Sequence, residues 1–564
     1  MNKHFAAGLI SLAVGAAGPV LAQQADTQVI PTEYHGVSAS LYDASLSQSI
    51  LRASSIVAPT EMVQKHGPLI NDYEAAPSLS TGASVVSPAV IQTAITAALG
   101  VVSGANFEGP GVGMPGFVMT GAPPDTTMAV GPNHVIAWVN SMFAVMTKSG
   151  TVLALVNGNA PFAGMPNLCA STNRGDPLVQ YDRLADRWVL SQFAFAVSGG
   201  NPAAPYLQCI AVSTTNNPMG TYHRYAIAFS SIAPSGLNDY GKLGIFPDAY
   251  YTSYNIFGGS PAGANTGVAL CASDRIKMLA GDATASTLCA PTGFYGGGAS
   301  FLPADLDGAT LPTTASQGNI FMRYSFGGVS LRMLKLKPNF TAGTVTLTNG
   351  LGGAFGTFVN LPVGPTTVAC NGSGGTCVAQ PGTTNKLDTL ADRLMYRLAY
   401  RNRGGVDSLV VTQSVDPDGA GARSAVLRWY EVRSPFAAAP TLFQNANYDP
   451  NGAGDRWMGS IAMDKQGNMM IGYSYADAAA GVMPSLRVAG RMRSDTRNRM
   501  RGEDVLINGT GSQTGALTRW GDYTTMQIDP VDDCTFWYIG QYLAANGSFN
   551  WRTRIGSYKF NGCS

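Results

Sequence analysis

Residues 519–543 read RWGDYTTMQIDPVDDCTFWYIGQYL, and WRTRIGSYKF follows at 551–560. TTMQID alternates, DPVDD bends, CTFWYIGQYL runs through aromatic and β-branched residues, and the third run returns. A short strand, a turn rich in Asp and two longer strands describe a small antiparallel sheet. The same arrangement recurs upstream. MAVGPNHVIAWVNSMFAVMTKSG is three short strands, and PLVQYDRLADRWVLSQFAF is answered by YLQCIAVSTT. GIFPDAYYTSYNIF is answered by GVALCASDRIKML, and FLPADLDG precedes GNIFMRYSFGGVSLRMLKL. RLMYRLAYRNRGGVDSLVVTQSV is answered by SAVLRWYEV, and MGSIAMDKQGNMMIGYSY by PSLRVAGRM. A small sheet cannot bury two apolar faces alone. Stacked radially, such sheets bury both and keep their edges short. The pattern predicts an all-β chain with a single β-propeller of seven blades over 121–564. Two packed sandwiches are the competing arrangement.

Composition agrees. The 67 Gly and 33 Pro among 564 residues provide many bends and argue against bundled helices. Lys plus Arg (35) balances Asp plus Glu (34), which leaves no field to attract nucleic acid. MNKHFAAGLISLAVGAAGPVLAQQ has a basic start, an apolar stretch and small residues at Val20 and Ala22. It reads as a signal peptide, 1–22, cut before Gln23, and no later segment reads as a membrane span. The mature chain is expected to be secreted or periplasmic, in contact with the outer surface, without stable membrane insertion. Residues 23–120 are rich in Ser, Ala and Gly and read as an irregular arm, with one short helix over SPAVIQTAITAALGVV (87–102).

Eight Cys in an exported chain favour disulfides. Cys370 and Cys377 flank NGSGGT, a segment made to bend, and form the first pair. Cys271–Cys289 is the next, Cys534–Cys563 would clip the C-terminus, and Cys169–Cys209 follows by elimination. A structural zinc is disfavoured, because CxxC is absent and all five His fall at or before His223.

The innermost strands of the blades carry polar residues at their starting ends. Asp125 precedes the first. Asp248 and Tyr251 are assigned to the third, Asp305 and Asp307 to the fourth, and Arg393 and Arg397 to the fifth. Asp455, Arg456 and Trp457 belong to the sixth, and Arg519, Trp520, Asp522 and Tyr523 to the seventh. If these strands line a channel, the residues converge on one mouth. Asp125, Asp248 and Asp522 are the candidate acid/base carboxylates. Arg397, Arg456, Trp457, Arg519, Trp520 and Tyr523 are the candidate ligand-binding groups. Several Asp near one mouth also suit calcium, although DxDxDG is absent. An Asp before a strand commonly ties its own turn, which is the architectural reading of each position. Trp188, Trp429, Trp537 and Trp551 lie within strand patterns and read as packing.

ADRLMYRLAYRNRGGVDSLVVTQSV, DRWMGSIAMDKQGNMMIGYSY and RWGDYTTMQIDPVDDCTFWYIGQYL, with APPDTTMAVGPNHVIAWVN and FPDAYY, resemble a large family of exported bacterial propeller proteins without an established reaction. The resemblance covers about 120–562. It implies the fold and export and supplies no catalytic residue. The family is similar to sialidases in general layout only. Carried over, that chemistry would use Arg397, Arg456 and Arg519 for a carboxylate, Asp125 as acid/base, and Tyr523 activated by Glu503. No SxDxGxTW box is present. The function expected is an exported propeller that binds a glycan or cell-surface polymer, with an extracellular glycan or surface protein as partner. The alternative is a carboxylate-based glycan-acting hydrolase or lyase, a glycosidase in the broad sense.

Overall fold

A computed structural model describes residues 27–51, 60–61, 90–232, 236–290, 300–313, 318–325, 329–348, 358–417, 424–437 and 439–564. The segment read as a signal peptide lies outside them. Among the described residues, no helix is long and apolar enough to cross a membrane.

The chain is almost all β. Thr127–Val130, His134–Val139, Met142–Thr147 and Val152–Asn157 form one antiparallel ladder. The next is Leu178–Asp182, Arg187–Ser198, Asn201–Ser213 and Tyr222–Ala228. It is followed by Gly236–Ile245, Tyr250–Gly258, Asn265–Ser273 and Ser286–Cys289. Leu302–Asp307, Asn319–Tyr324, Ser330–Asn339 and Thr344–Thr348 come next. After a long connection come Met395–Arg403, Val406–Asp416, Val426–Arg433 and Thr441–Tyr448. Asp455–Met463, Met469–Asp477, Val482–Arg491 and Glu503–Ile507 follow. The last ladder takes Thr525–Ile528, Thr535–Leu543 and Trp551–Phe560 from the C-terminal end, and Val101–Glu108 from the N-terminal end. The first strand of each ladder touches the first strand of the next, and Thr525–Ile528 touches Thr127–Val130, so the inner strands form a propeller-like ring.

Apolar side chains fill the space between neighbouring ladders. Met470 and Val488 pack against Met526, Phe536 and Tyr538, all fully buried. Each such side chain contributes about 1.5–3 kcal/mol by leaving water. The approach is close: a Cβ on Gly472 would lie 2.3 Å from the Tyr538 ring. Trp188, Trp429, Trp537 and Trp551 are buried. Disulfides join Cys169 to Cys209, Cys271 to Cys289, Cys370 to Cys377 and Cys534 to Cys563.

The arm departs from expectation. Of the stretch read as a helix, Val90–Gln92 is a strand added in parallel to Thr441–Tyr448, and the Val101–Glu108 strand begins within it. The helix lies instead at Leu41–Leu51. Gln28–Val37 is a strand wedged between Tyr222–Ala228 and Ser286–Cys289. The physical reason is the outer edge of each ladder, whose unpaired N–H and C=O groups take up a strand from the same chain. That pairing overrides the weak helical preference of an Ala-rich run.

Candidate functional site

An Asp lies at or near the start of most inner strands. Asp125 stands two residues before Thr127, Asp176 two before Leu178 and Asp522 three before Thr525; Asp239 lies within Gly236–Ile245. The backbone is left-handed at Asp125 (φ 48°), Asp176 (φ 46°), Tyr240 (φ 54°) and Gly521 (φ 111°). Such conformations are costly outside glycine, and they hold these side chains at the axis. One carboxylate oxygen each from Asp125, Asp176 and Asp522 lies within 4.8 Å of the others, all three residues being buried.

The cluster is built by specific bonds. The Asp522 N–H donates to Asp125 Oδ1 (2.8 Å). The Asn140 amide donates to Asp125 Oδ2 (2.8 Å) and accepts from the Asp176 N–H (3.2 Å). The Tyr240 N–H donates to Asp176 Oδ2 (2.9 Å). Arg519 donates to Asp522 Oδ1. Lys242 donates to the Gly241 carbonyl (2.8 Å), with its ammonium 3.3 Å from the Tyr240 ring centre and 4.2 Å from that of Tyr523. Arg393 pairs with Asp392 (2.6 Å) and lies over the other part of the aromatic wall, 4.6 Å from the Tyr240 ring centre.

Burial dominates the electrostatics. It raises the Asp125 carboxyl well above the usual range, and the charge of Asp522 adds to this while Arg519 opposes it. Asp176 is likewise pushed well up by burial and then by Asp239 and Asp522, against the pull of Lys242. Burial raises Asp239 to about 6 and lowers the Lys242 ammonium to about 7, the latter despite Asp176 and Asp522. Three carboxylates this close cannot all ionise cheaply, so the cluster holds protons or a cation.

Gln541 adds an independent feature. It is 3% exposed, and neither atom of its amide has a partner among the described residues. A Cβ on Gly521 would stand 3.6 Å from Gln541 Oε1 and 3.8 Å from Asp125 Oδ1. The Gly521 backbone therefore passes close to both oxygens. Two long connections meet each other and reach the Arg519 backbone, where Gln513 donates to the Arg519 carbonyl (2.8 Å). The Gln513 N–H donates to Gln380 (2.7 Å), and Asn385 donates to the carbonyls of Gln513 (3.1 Å) and Leu517 (2.7 Å).

Of the residues singled out from sequence, Asp125, Asp522 and Arg519 meet here, and Tyr523 walls the site. Trp520 and Trp457 pack on each other beside it, ring centres 5.9 Å apart, both buried. Arg397 is farther along the axis and binds Asp305 (2.8 Å) and Asp307 (2.7 Å). Asp248 is not part of the cluster. It accepts from the Tyr251 hydroxyl (2.8 Å) in the turn after Gly236–Ile245, because FPDAYY opens the second strand of its ladder and not the inner one. Arg456 and Glu503 pair with each other (2.8 Å), and Glu503 also takes Arg487 (2.9 Å) and the Tyr473 hydroxyl, so it does not serve Tyr523. Asp455 ties a turn by accepting from Ser424 N (3.0 Å) and Ala425 N (2.9 Å). Sequence reasoning missed Asp176, Asp239, Lys242 and Gln541. RGDPLVQYD repeats the Asp-then-strand pattern of PPDTTMAV and was the available signal for Asp176.

Neither a family model nor a curated protein sequence matches the chain. Solved structures with a distant likeness include the WD40 domain of SCAP from fission yeast. It is 8% identical with a TM-score of 0.33, over 78% of this chain and 85% of that one. Polysaccharide lyase Uly1 is 8% identical with a TM-score of 0.29, over 82% and 99%. The endo-arabinase from Bacteroides thetaiotaomicron is 12% identical with a TM-score of 0.26, over 57% and 94%. Likeness at this level assigns the chain to no family.

Proposed function

We propose that the protein is an exported seven-bladed propeller that engages a glycan at its axial mouth and acts on it by carboxylate acid/base chemistry. The reading is carried by one observation: Asp125 and Asp522 share one buried nest, the Asp522 N–H donating to Asp125 Oδ1 (2.8 Å) and Arg519 pairing with Asp522, where burial raises the Asp125 carboxyl well above the usual range. A carboxyl raised by burial beside a second carboxyl group paired with an arginine is what cleavage of a glycosidic bond by hydrolysis or elimination requires. Asp125 acts as the acid, Asp522 as base or nucleophile, and Arg519 keeps Asp522 oriented. Tyr523 and Trp520 support the wall, and the buried nest must open to admit a sugar. The test is a panel of soluble polysaccharides scored for new reducing ends and for unsaturated products. Wild type is expected to release one of these, and Asp125→Asn and Asp522→Asn to lose activity by at least about 100-fold with the fold retained. Activity that survives both substitutions refutes the assignment.

A second reading is favoured by Gln541 and by the depth of the cluster. Asp125, Asp176 and Asp522, with the Gln541 amide oxygen, form a hard-oxygen donor set that suits calcium. A cation reaches a site closed to a sugar, and it would then brace the mouth on which ligand binding occurs.

A further inference from the structure

The far end of one inner strand, Met395–Arg403, opens on a cluster of the opposite charge. Arg393, two residues before this strand, lies at the aspartate cluster, and Arg403 ends the strand, roughly 26 Å from its first residue Met395. Beside Arg403 is a cleft of about 350 Å³ lined by Arg403, Arg433, Arg491, Arg493 and Arg497. Six arginines fall between residues 487 and 501 of a chain in which only 12% of residues are charged.

The two carboxylates of the cleft are already engaged. Glu431 pairs with Arg433 (2.7 Å), and Asp495 takes both Nε and Nη2 of Arg501 (2.8 Å each) and the Met492 N–H (2.7 Å). Arg403 Nε is buried without a partner among the described residues. Space for that guanidinium is kept by Gly467 (φ 90°), where a Cβ would lie 2.8 Å from Arg403 Nε. Arg433 and Arg497 are held over the Phe443 ring, 3.2 and 4.5 Å from its centre. These contacts hold both guanidinium groups beside the cleft; Arg433 gives its Nε to Glu431 and keeps its other N–H groups for a ligand. Burial, then Arg493 and Arg433, lowers the affinity of Arg403 for its proton, so an anion entering here relieves mutual repulsion.

We infer that this cleft is a binding site for a tetrahedral oxyanion, sulfate or phosphate, free or esterified to a sugar. Fork-shaped donors converging from three strands and a loop match such a group with paired N–H···O bonds. The site is independent of the axial carboxylates.

The test is calorimetric titration of the whole mature chain with inorganic sulfate and inorganic phosphate, at ionic strength fixed with chloride. Saturable binding is expected, weakened at least tenfold in Arg403→Gln/Arg493→Gln and unchanged in Asp125→Asn. Glucose 6-sulfate and glucose 6-phosphate separate the sources: tighter binding than the inorganic ion means a sugar-borne group, and equal binding means the free ion. If the double variant fails to fold, the exposed single changes Arg493→Gln and Arg497→Gln carry the test. A response no larger than that to chloride, or wild-type affinity in the folded variants, overturns the proposal.

Discussion

If the axial carboxylates hold a divalent cation, stability must track its concentration. Two charged carboxylates within 4.8 Å of each other would repel by about 3.5 kcal/mol or more at an effective dielectric of about 20, which adds to the burial that raises the Asp125 carboxyl. A cation bound only by the folded protein adds about 2.7 kcal/mol at 100 times its dissociation constant. Unfolding entropy is about 2.1 cal/mol/K per residue, so a ring of roughly 440 residues has about 0.9 kcal/mol/K. The expected rise in Tm is therefore about 3 °C. The assay is differential scanning calorimetry of chelator-treated protein titrated with calcium, with magnesium as control. Asp125→Asn should abolish the rise while leaving the chelated protein as stable as chelated wild type or more so, because it replaces a buried, crowded carboxyl by a neutral amide of the same shape. Gln541→Ala should weaken the calcium response without that gain. Identical calcium responses in wild type and Asp125→Asn, or no response to any divalent cation, would refute the cation reading and leave the protonated pair.

Three further outcomes are expected. Burial raises Asp455 to about 6, above the usual 3.8, so its contribution to stability is fully present below the lower value and lost as pH rises through the upper one. Asp455→Asn keeps the acceptor for Ser424 and Ala425; the gap in Tm between wild type and variant should therefore grow in favour of wild type from pH 7 to pH 4, and a constant gap would contradict the burial argument. Replacing Cys370 and Cys377 by Ser opens a short loop and should cost about 2.5 kcal/mol, read as a lower denaturation midpoint with unchanged m. A chain ending before Trp551 should lose cooperative unfolding altogether, since the last ladder then keeps only Thr525–Ile528 and Thr535–Leu543; a soluble, cooperative truncation would instead indicate separable sheets.

The inner ring was legible because its strands are short, alternate and follow Asp. Asp125 and Asp522 could be singled out for that reason. Asp176 was not, because an Asp before Pro reads as a turn and nothing local says that its carboxylate reaches Tyr240 in the next ladder. Gly236–Ile245 escaped as an inner strand because its Gly, Asn and Asp mimic a loop. Register also misled: Asp455 and Arg456 are neighbours in sequence but point to opposite faces of one strand, so Arg456 meets Glu503 instead of the axis. The arm strands were the least legible. Val90–Gln92 has only three residues, and its partner lies some 350 positions away, so its conformation is decided by a free sheet edge and not by its own composition.

The pairing of Val101–Glu108 with Trp551–Phe560 has a consequence for how the molecule is made. Synthesis runs from the N-terminus, so the first of these strands leaves the ribosome about 450 residues before its partner exists. Throughout that interval every ladder already formed sits in an open arc with two raw ends. Closure waits for Trp551–Phe560, and Cys563, the mate of Cys534, follows directly after it. A nonsense codon or a protease cut ahead of Trp551–Phe560 should be as damaging as one near the middle, and a quality-control factor needs to watch only the seam between Val101–Glu108 and Trp551–Phe560 to know that the ring is closed.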